Sequence, residues 1–247
     1  MAMNNFVMTI AYDGSRYNGW QRQGNTDNTV QGRIEAELSE ILGHKIEIHG
    51  SGRTDAGTHA LAQVASFKAN VGLTPERLMS ELNRRLPGDI AVTGLECAPE
   101  RFHARLNVKG KTYVYRIWTA EYSNVFERKF VYELGKKLDI AEMEKAAAIM
   151  CREADFIGYS SLKKSKKSTI RTVRSIDVDD LGPEVRLIFR GDGFLYNMVR
   201  IMAGTLVEVG LGKRPAISAA VPFETLDRAD AGETLPAKGL TLAEVEY

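Results

Sequence analysis

Asn28-Thr29-Val30-Gln31-Gly32-Arg33-Ile34-Glu35-Ala36-Glu37-Leu38-Ser39-Glu40-Ile41-Leu42-Gly43 is the stretch from which the fold is read. Val30, Ile34, Leu38, Ile41 and Leu42 recur at helical spacing, Gly43 closes the run, and Asn28 stands where an N-cap belongs with Gln31 three residues on. Before it, residues 6–12 form a β-prone run ended by Asp13-Gly14 and Asn18-Gly19, which predicts a strand and then turns. After it, residues 45–49 alternate as a short strand, a small-residue loop covers 50–58, and residues 61–68 predict another strand. Thr74-Pro75-Glu76 supplies a cap, a proline at the first helical position and an acid in the first turn. Leu78, Leu82 and Leu86 carry that helix to Pro87-Gly88, and residues 90–97 read as a strand.

The order β-α-β-β-α-β is the split motif of ferredoxin-like units, and it recurs downstream. Residues 112–119 alternate as a strand, and Asp139 caps a helix with Glu142 at the N3 position. Residues 173–178 and 185–189 read as paired strands, 194–209 as a helix, 217–226 as an added helix and 240–245 as the last strand. The repeat is one of element order and not of sequence. The expectation is an α+β protein whose two ferredoxin-like halves, residues 1–108 and 109–247, join into one mixed sheet with a central cleft.

Composition sets the outer bounds. The 247 residues are 44% hydrophobic and 26% charged, with 33 Lys plus Arg against 32 Asp plus Glu, which argues against disorder, collagen-like repeats and coiled coil. Cys97 and Cys151 form no CxxC and have no companions at metal-ligand spacing, so neither a disulfide scaffold nor a structural zinc site is expected. Residues 1–12 contain no basic segment followed by a long apolar run, and the apolar stretch 201–207 falls far short of the roughly 20 residues that span a bilayer. A cytoplasmic protein is expected.

The near-neutral total hides segregation. Residues 101–116 hold five Lys or Arg and no acid, residues 163–174 hold six and no acid, and residues 224–247 hold six acids against two bases. Solvated basic loops are the plainer explanation of such runs, but a positive face on a neutral molecule is also the footprint of a nucleic-acid binder.

Three clusters carry candidate chemistry. In Gly50-Ser51-Gly52-Arg53-Thr54-Asp55-Ala56-Gly57-Thr58-His59, backbone rather than side-chain bulk faces whatever approaches. Arg53 and Asp55, two residues apart, would lie on one side of an extended stretch. Taken alone, a turn-capping aspartate beside a solvent-exposed arginine explains the pattern as well. In Lys109-Gly110-Lys111-Thr112-Tyr113-Val114-Tyr115-Arg116, Lys111, Tyr113 and Tyr115 share one strand face. A ring flanked by cations can stack on an unpaired base, or simply pack over the core with its hydroxyl at the rim. In Phe194-Leu195-Tyr196-Asn197-Met198-Val199-Arg200, Arg200 sits among apolar neighbours and needs a partner if it faces inward. His44, His49, His59 and His103 form no ligand pattern.

Together these clusters resemble the TruA-type tRNA pseudouridine synthases over nearly the whole chain. The resemblance rests on Ala11-Tyr12-Asp13-Gly14, Gly19-Trp20-Gln21, Thr29-Val30-Gln31-Gly32, the loop Gly52-Arg53-Thr54-Asp55-Ala56-Gly57-Thr58-His59-Ala60, Tyr113-Val114-Tyr115, Asp155-Phe156, Phe194-Leu195, Met198-Val199-Arg200 and Gly239-Leu240-Thr241-Leu242. Thr241 departs from the tyrosine common there. The resemblance implies that Asp55 is the catalytic carboxylate, that Tyr113 stacks on the target uracil and that Arg200 pairs with Asp55. It implies further that Arg53 holds the RNA open and that Leu240 lines the apolar side of the pocket. A homodimer is implied, with uridines at positions 38, 39 and 40 of the tRNA anticodon stem-loop as substrates.

That reaction breaks a C–N glycosidic bond, turns the uracil and forms a C–C bond at the same sugar carbon, with no redox step and no phosphate activation. Neither a cofactor nor a metal is expected. The base must leave the stack, which costs a few kcal/mol. A cationic neighbour keeps a carboxylate ionised where burial alone would protonate it, so Asp55 can serve as nucleophile or base. A catalytically silent RNA-binding protein is the main rival, but an acid in a basic cleft would only repel phosphate. A metal-dependent nuclease would call for several clustered acids or histidines, and the loop offers one.

The run Lys163-Lys164-Ser165-Lys166-Lys167 lacks apolar periodicity and reads as a phosphate-contacting loop. Replacing its four lysines with glutamine is expected to weaken tRNA binding at low salt. The log K against log salt slope should fall in magnitude by up to roughly 4, with turnover at saturating tRNA little changed. An unchanged slope would place these lysines away from the RNA.

Overall fold

A computed structural model describes residues 4–70, 72–163 and 168–247, so Lys164, Ser165, Lys166 and Lys167 of the basic run lie outside the described residues. The chain divides into two compact units, Met1–Lys109 with Leu242–Tyr247, and Gly110–Thr241.

The first unit contains β1 (Asn4–Tyr12), α1 (Val30–Leu42), β2 (His49–Gly50), β3 (His59–Ala69), α2 (Pro75–Arg85) and β4 (Ile90–Ala98). β1 pairs antiparallel with β3 on one side and β4 on the other, placing Phe6 opposite both Phe67 and Cys97, and β2 pairs antiparallel with β3. The two-residue period of β1 buries Phe6, Met8, Ile10 and Tyr12, and Phe6 stacks on Phe67 with ring centroids 5.2 Å apart. α1 covers this face with Val30, Ile34 and Leu38, all fully buried. Each contributes roughly 1.5–3 kcal/mol by leaving water.

Two expectations fail here. Thr29, not Asn28, caps α1: its hydroxyl oxygen accepts the Gly32 N–H at 3.2 Å, while the Asn28 amide donates to the Arg16 carbonyl. Gln31 does not fold back as a capping-box partner. It turns inward, donating to Glu35 Oε1 and to the Ile48 carbonyl, and the Ile48 N–H donates to Glu35 Oε1 at 2.9 Å. Ser39 Oγ accepts the Ile46 N–H in the same way. The backbone of residues 45–48 is therefore satisfied by helix side chains instead of a ladder, and only His49–Gly50 forms the expected strand.

The second unit contains β5 (Gly110–Trp118), β6 (Tyr132–Glu133), α3 (Ile140–Met150), β7 (Glu153–Asp155), β8 (Ile170–Asp180), β9 (Glu184–Gly191), α4 (Met198–Gly210) and α5 (Val221–Thr225). β10 (Leu240–Glu246) follows, and its residues from Leu242 onward group with the first unit. β5, β9, β8 and β7 lie side by side as antiparallel neighbours, while β6 runs parallel to β5. The chain is α+β with mixed, largely antiparallel strands. Asp139 caps α3 as expected, its carboxylate accepting the Glu142 N–H at 3.1 Å.

The expected helix over 194–209 starts only at Met198, because Asn197 adopts left-handed backbone at φ 61° and the helical register cannot run through it. The expected helix over 217–226 is a 3-10 turn, Ala216–Ala220, followed by the single turn of α5. Pro222 lacks the N–H that an unbroken helix would use there. Among the described residues no helix is long and apolar enough to cross a membrane.

Thr29→Ala is expected to lower stability by about 1 kcal/mol, seen as a lower urea midpoint at unchanged denaturant slope. Thr29→Ser should retain most of it.

Candidate active site

The loop carrying Arg53 and Asp55 joins β2 to β3 in the first unit, and its shape is dictated by backbone contacts. The Thr58 N–H donates to the Asp55 carbonyl at 3.1 Å, closing a turn in which Gly57 takes a φ of +78°. Below that turn lies the segment that follows β1. A Cβ on Gly14 would fall 2.0 Å from the Thr58 carbonyl oxygen, and one on Gly19 would fall 2.7 Å from that of Thr54, where φ is already +88°. Only glycine permits both approaches. The Trp20 N–H donates to the Thr54 carbonyl at 3.1 Å, and the Trp20 indole occupies the space a Cβ on Gly50 would need.

Side chains complete the socket. Tyr12 and Thr54 share a buried hydrogen bond of 2.8 Å between hydroxyls, and burial pushes the Tyr12 phenol well above its ordinary pKa. The Gly14 N–H donates to His59 Nδ1 at 3.1 Å, and the Asp13 carboxylate lies 3.2 Å from the same nitrogen. Gln63, fully buried, accepts from Ser51 Oγ at 2.6 Å and donates to the Gly52 carbonyl at 3.1 Å. On this frame Arg53 is exposed and donates through Nε to Gln21 Oε1 at 3.3 Å, while Asp55 is half-buried. The motifs 11–14 and 19–21 are thus the mould of the loop.

Tyr113, Arg200 and Leu240 belong to the second unit. Tyr113 lies opposite Phe189 in the β5–β9 ladder and meets Phe194 edge-on, with ring centroids 5.4 Å apart and planes at 90°. It is 7% exposed. Tyr115, two residues along the same face, donates its hydroxyl to the Pro236 carbonyl at 2.8 Å. Burial raises its pKa while the positive charge of Arg200 opposes the rise. Leu240 opens β10 and is buried.

Two of the acceptors of Arg200 are a backbone carbonyl and a side-chain amide. Its Nε donates to the Leu235 carbonyl at 2.6 Å and its Nη1 to Asn197 Oδ1 at 3.0 Å. The Leu235 carbonyl is itself fixed, because the segment before it lies flat on α4: a Cβ on Gly204 would sit 1.9 Å from the Glu233 carbonyl oxygen. The Gly232 N–H donates to Thr205 Oγ1 at 2.8 Å and the Glu233 N–H to Glu208 Oε1 at 3.0 Å. Sequence reasoning identified Arg200 but missed Asn197, Thr205 and Leu235 as its supports.

The basic runs divide on inspection. Arg101 and Arg105 are exposed, whereas Arg116 is committed to Glu184 and Glu127 at 2.7 and 2.6 Å, and those contacts hold the Glu127 carboxyl below its usual range. Among the described residues no group of three or more His, Cys, Asp or Glu could hold a metal ion.

Residues 8–107 and 146–247 match the family model described as tRNA pseudouridine synthase. A tRNA pseudouridine synthase A from Bacillus sp. (strain KSM-64) is 48% identical over 245 residues, covering 99% of this chain and 100% of the relative. A tRNA pseudouridine synthase A 2 from Bacillus anthracis is 44% identical, and a tRNA pseudouridine synthase A 1 from Clostridium tetani is 42% identical, with the same coverage.

Gly14→Ala is expected to destabilise by about 1–3 kcal/mol, since backbone lies on both sides of the clash. Tyr12→Phe, which deletes one buried hydrogen bond, should cost about 1 kcal/mol. Thermal unfolding of the two variants should therefore rank them in that order below the parent.

Proposed function

The chain belongs to the tRNA pseudouridine synthase family, isomerases that act on uridine in tRNA, and from that premise we propose that it converts uridine at positions 38, 39 and 40 of the anticodon stem-loop with Asp55 as the reacting carboxylate. The observation that carries this assignment is the 50–59 loop: bare backbone held by Tyr12, Trp20, His59 and Gln63, with a single acid presented at its turn. A site built to that tolerance preorganises one group in advance of its substrate.

Each remaining residue has a distinct task in this proposal. The target uridine leaves the stack before reaction. Arg53, exposed beside Asp55, occupies the opened RNA and contributes charge against phosphate. Tyr113 stacks on the uracil as it leaves the sugar and turns, and Leu240 supplies an apolar wall. Arg200 contributes the positive charge that favours an ionised carboxylate. The carboxylate forms or relays the bonds at the reacting carbon while the base stays bound, so no exogenous cofactor enters. Two copies of the chain share the tRNA as a homodimer in the cytoplasm.

Incubating an unmodified tRNA transcript with the protein alone and mapping pseudouridine by mass spectrometry tests the assignment. Modification is expected at positions 38 to 40. Asp55→Ala and Asp55→Asn should abolish turnover while leaving tRNA affinity within a few-fold, and product formed by either variant would remove Asp55 from the chemistry.

A further inference from the structure

Tyr196 is a large aromatic that the fold leaves in water. The residue is 54% exposed while Leu195, Met198 and Val199 near it in the chain are buried. Among the described residues it has neither a hydrogen-bond partner for its hydroxyl nor a ring contact. Isolated exposed rings are ordinary on protein surfaces, but this one stands on a backbone that is fixed from both sides. The Tyr196 carbonyl accepts the Ser161 N–H at 3.1 Å and Ser160 Oγ at 3.3 Å. The next residue, Asn197, holds left-handed backbone at φ 61°, donates through Nδ2 to Ser161 Oγ at 3.1 Å and accepts Arg200 Nη1 at 3.0 Å.

One clamp therefore sets both the Arg200 guanidinium and the root of the Tyr196 ring. A non-glycine residue in left-handed backbone is retained where surrounding contacts impose it, and such outliers gather at functional positions. The clamp also carries a cation: Lys163, exposed, follows Ser161 by two residues. An open ring on a rigid base, with a positive charge on a long side chain nearby in the chain, is the combination that receives a nucleotide, the ring taking the π-face of the base and the charge its phosphate.

We infer that Tyr196 is a stacking site for a nucleobase adjoining the target uridine in the tRNA. This rests on the proposal that Arg200 serves the reacting site. Withdrawing one base leaves its neighbours without a stacking partner on that side, and an aromatic ring rooted next to Asn197, which bonds Arg200, replaces the lost partner for one of them. The ring, not the hydroxyl, is the binding element, because among the described residues no hydrogen bond directs the phenol. Tyr196 does not touch the reacting atoms in this scheme, so it acts on binding and positioning.

The test uses an anticodon stem-loop RNA carrying 2-aminopurine next to the target uridine, together with steady-state kinetics on full-length tRNA. Binding to the parent protein should quench the fluorophore by stacking. Tyr196→Ala should lose that quench and raise KM by roughly 10- to 100-fold, with kcat lowered less, while Tyr196→Phe and Tyr196→Trp should stay within about threefold of the parent. Tyr196→Leu keeps apolar bulk without a ring and should resemble the alanine variant, which separates stacking from a packing defect if the alanine variant is poorly folded. Parent-like quench and KM in both Tyr196→Ala and Tyr196→Leu would overturn the inference, as would equal losses in the phenylalanine and alanine variants. A parent protein that binds and quenches yet forms no pseudouridine would instead strike at the proposed reaction and leave the stacking site standing.

Discussion

Buried backbone must have its hydrogen bonds answered, and the segment presenting Asp55 has almost no other means of being held. With three glycines and two alanines in its immediate sequence, it offers little side-chain surface to pack and no ladder beyond the two residues of β2. Its carbonyls at Gly52, Thr54 and Asp55 are taken up one by one by the Gln63 amide, the Trp20 N–H and the Thr58 N–H. Remove that accounting and the loop becomes a flexible glycine linker. The strand, the turn after β1 and the buried glutamine on β3 are arranged to satisfy it.

The second unit solves a similar problem with a helix. α4 is buried on nearly every face, so the guanidinium of Arg200 needs partners where charge is costly to leave unanswered. A carbonyl and an amide oxygen supply them at 2.6 and 3.0 Å. These two neutral acceptors fix the orientation of the guanidinium on α4. The close approach at Gly204 and the Thr205 hydroxyl bonded to Gly232 serve the same end, because they fix the carbonyl that receives Nε.

Much of this was legible in the residues. The strands at 6–12 and 90–97, the Thr74-Pro75-Glu76 helix start and the Asp139 cap appear because period and capping chemistry are local properties, and local contacts decide them. Family membership was legible in the Arg53-Thr54-Asp55-Ala56-Gly57-Thr58-His59 loop and its companions. What escaped was non-local. Gln31 and Glu35 occupy positions a surface helix would fill with polar side chains, and nothing within the helix tells that they turn inward to bond residue 48. Gln63 sits in a strand of apolar neighbours, and its service to Ser51 and Gly52 depends on a loop folding back over it. Asn197 reads as a good helix-flanking residue, but its left-handed backbone follows from Ser161, 36 residues earlier.

The last strand belongs in part to the first unit. The Lys109 N–H donates to the Glu246 carbonyl at 2.9 Å, the Tyr247 hydroxyl donates to the Ala104 carbonyl at 2.6 Å, and the Tyr247 ring leans on Phe102. During synthesis on the ribosome, the stretch up to Lys109 emerges long before the residues that complete it, and the whole of the second unit must follow. The amino-terminal unit therefore waits with an unfilled edge for most of translation, a delay in which chaperones have a natural substrate. Closure of that gap by residues 242–247 makes completion of the unit that carries Asp55 contingent on the rest of the polypeptide having been made, so a nascent chain released early would hold an unfinished scaffold.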